Sequence, residues 1–169
     1  EARQVMKHDP RPYVLKNPIC SPFSPVHAII CESTEDTNGW IERVDYAEGL
    51  FLQEYLGKEE AGHFVFISGG EICSLVTNQE FKRAFTGDMG PLAGAPLAGL
   101  AEQDPTDKYG LAKELIHPLK PWFEKTGYNG PLQVTAIRKD GTWHAIEYNI
   151  RLGVTTTALL LRMLKNPVK

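Results

Sequence analysis

Cysteine is scarce in this chain, and what there is does not pair up. Cys20, Cys31 and Cys73 are odd in number and irregular in spacing, with no CxxC among them. That argues against a disulfide scaffold or a thiolate zinc centre and fits a reducing, cytoplasmic setting. No apolar run approaches the ~18 residues of a membrane-crossing helix, so no membrane partner is expected. Neither sign of charge dominates: the formal net charge is -3. No general basic surface is left for nucleic acid, and Lys82-Arg83 is the local exception. There is no P-loop GxxxxGK[ST], no GxGxxG and no GxSxG. The five histidines (His8, His27, His63, His117, His144) show no metal-ligand spacing and read as structural or exposed. Internal repeats and low-complexity tracts are missing too.

What is present is an ordinary globular composition. The chain has 169 residues, 42% hydrophobic and 23% charged, enough for one compact domain or two small lobes. It opens on Glu1-Ala2-Arg3-Gln4, neither a signal peptide nor an initiator methionine, and is expected to be a processed product or a piece cut from something longer. Residues 12–16 read as a strand ending on Lys16. Residues 17–25, with three prolines and two serines, read as a loop. Residues 26–31 read as a second strand. Ser33 to Asp36 mark a helix start, with Trp40, Ile41 and Val44 at helical spacing and Gly49 as a stop. A buried strand is expected over 50–56. Residues 63–68 and 72–76 pair about Gly69-Gly70. A polar loop with Lys82, Arg83 and Asp88 runs into a long Gly/Ala/Pro-rich connection over 87–99. Asp107 looks like the cap of a helix over 108–125, kinked at Pro118 and Pro121. Residues 132–138 and 143–152 read as a hairpin about Asp140-Gly141. Thr155 opens a last helix with Leu159, Leu160, Met163 and Leu164. Strands in adjacent runs favour an α+β class, antiparallel sheets with packed helices.

The most informative stretch is Ile146-Glu147-Tyr148-Asn149-Ile150-Arg151. Strand side chains alternate, so Glu147, Asn149 and Arg151 share a face, and Ile146, Tyr148 and Ile150 point into a core. A carboxylate and an amide oxygen are hard ligands that suit Mg²⁺, and a guanidinium fork suits phosphate. On pattern alone a solvated strand face is the favoured reading, since any half-exposed antiparallel strand shows such alternation. Lys16 can reach a nucleotide phosphate or simply sit in water. Lys82-Arg83 offers an anion contact or a solvated charge pair. Backbone groups around Gln53, Glu54 and Leu56 can meet a purine edge or form an edge of the core. Glu59 and Glu60 can meet a ribose hydroxyl or face solvent.

In combination these pieces resemble the ATP-grasp fold, in the branch of phosphoribosylamine–glycine ligases. A strand ending in lysine, a loop, a strand, a helix and Gln53-Glu54-Tyr55-Leu56-Gly57 come first. Lys82-Arg83-Ala84 then precedes Gly87-Asp88-Met89-Gly90-Pro91, followed by Gly130-Pro131-Leu132-Gln133. Last comes Glu147-Tyr148-Asn149-Ile150-Arg151-Leu152-Gly153, the family's Glu-x-Asn-x-Arg-x-Gly. The match covers roughly residues 12–165 and implies a partial ATP-grasp domain. Residues 1–56 would be the remainder of the first lobe and 57–169 the second. It implies ATP with Mg²⁺ or Mn²⁺, and small-molecule carboxylate and amine substrates joined through an acyl phosphate. By this resemblance Lys16 contacts nucleotide phosphates, Gln53, Glu54 and Leu56 meet adenine, and Glu60 meets ribose. Glu147 and Asn149 hold the metal, and Arg151, with Lys82, meets transferring charge. The family's domain before the core has no room here, so the isolated chain is expected to be inactive without the missing N-terminal part of its parent. Association between copies is left open. Departures from the family leave an alternative, a non-catalytic nucleotide-binding or interaction module, which the altered loop over 17–25 supports and which the joint presence of Glu147, Asn149 and Arg151 opposes; Leu92-Ala93-Gly94-Ala95-Pro96 is only partly glycine where the family's substrate loop is glycine-rich. Residues 17–25 contain no glycine or lysine where the family has a glycine-rich loop. Val154-Thr155-Thr156-Thr157 also replaces the family's Asp-Pro-Glu-Thr.

Overall fold

The computed structural model describes residues 1–18, 28–44, 49–87, 89–93 and 97–163, without the side chains of Pro91 and of residues 154–156. Most of the 17–25 loop, His27, Asp88, residues 94–96 and Leu164 therefore lie outside the described residues. The chain divides into two compact units, Glu1–Gly57 and Lys58–Lys169.

The first unit carries helix α1 (Ala2–His8), strands β1 (Tyr13–Lys16) and β2 (Ala28–Ile30), helix α2 (Thr34–Arg43) and strand β3 (Phe51–Glu54). The strands form an antiparallel sheet in the order β2-β1-β3. Ser33 caps α2 by accepting from the Asp36 N–H at 3.0 Å, and Glu35 and Asp36 sit where the positive end of the helix favours acids. Thr37 of α2 is buried and accepts the Tyr13 N–H at 3.1 Å, tying helix to sheet. Tyr13 and Leu15 are buried on that side of β1. The expected buried strand over 50–56 is shorter and shallower: Phe51 is exposed and its neighbours half-buried, because a three-stranded sheet covered by one helix leaves its other face open.

The second unit is built on a five-stranded antiparallel sheet, in the order β10-β9-β4-β5-β8. The strands are β4 (Glu60–Ser68), β5 (Glu71–Phe81), β8 (Ala98–Gln103), β9 (Gly130–Lys139) and β10 (Thr142–Asn149). Gly69 and Gly70 both hold positive φ in the β4–β5 turn, a conformation glycine takes without strain. The long connection expected over 87–99 proves partly regular. A small ribbon of β6 (Arg83–Phe85) and β7 (Met89–Leu92) precedes β8, which pairs with β5 from Val76↔Gln103 to Phe81↔Ala98. Backbone pairing there overrides a poor strand composition.

The helix expected over 108–125 is broken into three turns of different pitch. Residues Ala112–Ile116 are π-helical, His117–Leu119 tighten into a 3-10 turn, and α3 (Lys120–Thr126) completes the run. Pro118 and Pro121 each lack an N–H, which prevents one continuous ladder. Gly127, with φ 64°, ends α3 in the left-handed conformation. Leu111, Ala112, Ile116 and Phe123 pack on Val65, Ile67, Leu132, Val134, Ala136 and Trp143, the main core. On the opposite side of the sheet, Leu160 and Met163 of α4 (Val154–Met163) cover Phe64, Val76 and Ala101. Among the described residues, no helix is long and apolar enough to cross a membrane.

Strand β10 departs from simple alternation. Its register on β9 shifts between Ala145 and Glu147, making Ile146 an extra residue. The expectation that Ile146, Tyr148 and Ile150 enter a core is also corrected. Ile146 is only half-buried, Tyr148 is 42% exposed and Ile150 is 68% exposed. As the outer strand of the sheet, β10 has a neighbour on one side only. The Tyr148 hydroxyl nevertheless donates to the Leu115 carbonyl at 2.9 Å.

Candidate functional site

One face of the large sheet collects the polar groups. Cα partners across a sheet share a face, which links Glu147↔Thr135↔Gly62↔Asn78 and Asn149↔Gln133↔Phe64. Glu60 and Glu80 lie on this same face by the period of two along β4 and β5. Phe64 and Val76 carry α4 at one end, and the polar groups occupy the rest.

Glu147 and Asn149 are brought together as the sequence suggested: the Asn149 Nδ2 donates to Glu147 Oε1 at 3.2 Å. Arg151 does not belong to the strand. β10 ends at Asn149, and Arg151 is exposed two residues beyond. Lys82 follows β5 and bonds Glu60 Oε1 at 2.8 Å, with Glu80 Oε2 at 4.0 Å. Burial alone would pull the Lys82 ammonium down. Attraction from Glu60, its hydrogen bond, and then Glu80 and Glu147 together hold the pKa above the ordinary lysine value. Lys82 is thus a cation at neutral pH, under the attraction of three carboxylates. Arg83 donates to the Gly90 carbonyl at 3.0 Å, closing the ribbon.

Below the charged groups lies a buried amide pair. Gln133 Nε2 donates to Asn78 Oδ1 at 3.2 Å. Gly62 crosses directly over it: a Cβ there would stand 2.6 Å from Asn78 Oδ1 and 3.0 Å from Gln133 Nε2. Glycine is needed here for close approach, not for its backbone freedom. The oxygens of Glu60, Glu80, Glu147 and Asn149 are hard donors of the kind Mg²⁺ and Mn²⁺ take. The Asn149 amide now turns its nitrogen toward Glu147, so shared coordination would require it to rotate.

The remaining expected residues belong to the first unit, except Glu60. Lys16 ends β1 opposite Phe51, and Gln53 lies opposite Val14, which puts Lys16 and Gln53 on one face. Glu54 lies opposite Tyr13 on the other face, with its carboxylate 3.3 Å from Arg11. Leu56 follows β3 and is half-buried.

Sequence reading missed Asn78, Glu80, Gln133 and Thr135. Their signal was present: Gln133 and Thr135 interrupt an apolar strand at a spacing of two, and Thr77-Asn78-Gln79-Glu80 is a polar run inside one. It also missed a largely buried group formed by His63, Thr77, Asp104 and Asp107 on the opposite face, in which the two acids stand 27 or more residues from Thr77 and His63.

No protein-family model matches the chain. Among curated proteins it is 28% identical over 154 residues to the phosphoribosylamine–glycine ligase of Ralstonia nicotianae, covering 81% of this chain and 35% of the relative. It is 30% identical over 129 residues to the enzyme of the same name from Vibrio parahaemolyticus, covering 70% and 29%. The crystal structure of phosphoribosylamine–glycine ligase from Thermotoga maritima superposes with a TM-score of 0.70 at 25% identity, over 96% of this chain and 43% of that one. The chain thus spans about a third of the length of the curated relatives it matches. Motif order and these likenesses agree, and they make the chain part of an ATP-grasp fold of the phosphoribosylamine–glycine ligase kind.

Proposed function

We propose that this chain provides nucleotide- and metal-binding surface for an ATP-dependent carboxylate–amine ligase of the cytoplasm. Such an enzyme transfers the terminal phosphoryl group of ATP to a carboxylate. An amine then attacks the acyl phosphate, an amide forms and phosphate leaves. The observation that carries the reading is the pairing of Glu147 with Asn149 on a face that also holds Glu60, Glu80 and Lys82. Three carboxylates set against one ammonium leave this face with an excess of negative charge, which a divalent cation would neutralise. Glu147 and Asn149 would hold Mg²⁺ or Mn²⁺, which when bound supplies charge neutralisation between phosphates. Lys16 would contact nucleotide phosphates, and the backbone near Gln53, Glu54 and Leu56 would meet adenine. Arg151, exposed and just past the strand end, would stabilise charge on the transferring phosphoryl group. Glu60 would meet ribose only by giving up part of its bond to Lys82. Lys82 itself would serve as an anion contact and hold Glu60 in place.

Residues from the rest of a longer parent would complete the substrate pocket, so the isolated chain is expected not to turn over. The second reading, a binding module without catalysis, is favoured by Val154-Thr155-Thr156-Thr157 in place of an acidic segment. Titration calorimetry of ATP with and without Mg²⁺ separates these readings from no site at all. Mg²⁺-dependent binding is expected in the wild type and its loss in Glu147→Gln. Equal ATP affinity in both proteins, whatever the Mg²⁺, would overturn the metal assignment. Turnover by the full-length parent that is lost in Arg151→Ala would favour the ligase over the module.

A further inference from the structure

On the face opposite the polar patch, under the start of the π-helical segment, sits a second cluster that the ligase reading does not use. His63, in the middle of the sheet, is fully buried. Its Nδ1 lies 2.8 Å from the Thr77 hydroxyl, which lies 2.7 Å from Asp104 Oδ2. A carboxylate only accepts, so the Thr77 hydroxyl must donate to Asp104 and accept from His63. That fixes the proton on Nδ1 and leaves Nε2 with its lone pair. Nε2 has no hydrogen-bond partner among the described residues, and it faces Asp107 Oδ1 at 3.9 Å. A buried acceptor and a largely buried one therefore face each other, with no donor between them among the described residues. One ligand atom from each of His63, Asp104 and Asp107 lies within 4.8 Å of the others.

From this geometry we infer a divalent transition-metal site, of the kind zinc occupies, in which His63 Nε2 and the Asp107 carboxylate are ligands and Asp104 is close enough to supply a third. An imidazole and carboxylates are the donors such ions take, at about 2.0–2.2 Å, so the 3.9 Å gap would close by a few tenths of an ångström around an ion. The chain His63 Nδ1–H to Thr77 to Asp104 is the support a metal-bound histidine needs to hold its tautomer and ring angle. The carboxylates are themselves held rigid. Asp104 Oδ1 accepts the Lys108 N–H at 2.9 Å, and Asp107 accepts from Ala112 and Lys113 at 3.0 and 2.7 Å. Each oxygen retains a second lone pair. Burial pulls the His63 pKa below its ordinary value against the raising influence of Asp107 and Asp104, which keeps the imidazole in the neutral form that ligates. The Asp107 side chain, 11% exposed, is the way in for an ion. Such an ion would pin the turn before the broken helix to the central strand. It is separate from the Mg²⁺ site proposed above, which contains no histidine.

The test adds Zn²⁺ or Co²⁺ to the protein, removes the excess by gel filtration and measures bound metal by plasma mass spectrometry. About one Zn²⁺ per chain is expected, with visible d–d absorption of the Co²⁺ form and a rise in Tm of about 5–10 °C when free metal stands about a hundredfold above its dissociation constant. Asp107→Asn keeps an oxygen for the Ala112 N–H while weakening the ligand, and should lose most of the bound metal. His63→Phe should lose all of it. The Co²⁺ spectrum of the wild type needs no variant, so misfolding of either variant does not rescue or sink the inference. No retained metal and an unchanged Tm would overturn it. Metal retained equally by wild type and His63→Phe would overturn it too, by pointing to the exposed histidines.

Discussion

Gly62→Ala probes the packing that carries the candidate site. The added methyl would stand 2.6 Å from Asn78 Oδ1 and 3.0 Å from Gln133 Nε2, so atoms must shift by several tenths of an ångström or more. The atoms in the way are a bonded pair, at 3.2 Å, in side chains only 4% and 3% exposed. Parting them strands a buried acceptor and a buried donor, at about 1–3 kcal/mol for each group left unsatisfied, and partial relaxation puts the sum at roughly 2–4 kcal/mol. With a urea slope of about 2 kcal/mol per molar, the midpoint should fall by about 1–2 M. Gly69→Ala is the control: a Cβ there meets nothing within 4 Å, and its φ of +57° costs only about 1–2 kcal/mol. The assay is urea denaturation followed by far-ultraviolet circular dichroism, with Asn78→Ala and the double variant completing a cycle. Gly62→Ala should cost much less once Asn78 is already alanine. A Gly62→Ala midpoint within about 0.3 M of wild type, or an additive cycle, would refute the steric argument.

Phe123→Ala empties the largest side chain contributed by α3 to the main core and should cost about 3–5 kcal/mol in the same denaturation assay; a loss below about 1 kcal/mol would mean the segment packs differently. Lys82→Met removes the ammonium that faces Glu60, Glu80 and Glu147. Because the folded pKa of Lys82 is raised, its contribution is fully present below the unfolded value of about 10.4 and is lost as pH climbs through the folded value. The variant should be less stable than wild type at neutral pH, with the gap narrowing above about pH 10.5; a gap constant up to pH 11 would contradict the ion-pair account.

Much of the fold is readable from local signals. Gly69-Gly70 and Asp140-Gly141 mark the two long hairpins, and Ser33 with its following acids marks α2, because turns and caps are set by neighbours in sequence. The strands from Arg83 to Gln103 are not legible in this way: glycine, alanine and proline carry no strand signal, and pairing with β5 imposes the conformation from outside. The candidate site divides along the same line. Glu147 and Asn149 are two residues apart on one strand, so their meeting is a local fact. The Lys82–Glu60 bond joins residues 22 apart and the Gln133–Asn78 bond residues 55 apart, across strands whose order no single segment reveals. Tyr148 and Ile150 mislead because apolar character predicts burial only where something is available to cover them.

The extra residue at Ile146 gives the chain a parity rule. Trp143 and Ala145 stand on the helix-covered side of the sheet, opposite Arg138 and Ala136, while Glu147 and Asn149 stand opposite Thr135 and Gln133 on the other. Strict alternation through Ile146 would put Glu147 opposite Val134, on the side of the core; the extra residue is what turns the carboxylate to the other face. Deleting Ile146 alone would let Glu147 follow Ala145 directly and keep its place opposite Thr135, so the strand would become regular without inverting the site. What such a deletion removes is the local bend and added twist that a bulge gives the outer strand, and with them the direction in which Glu147 and Asn149 are aimed.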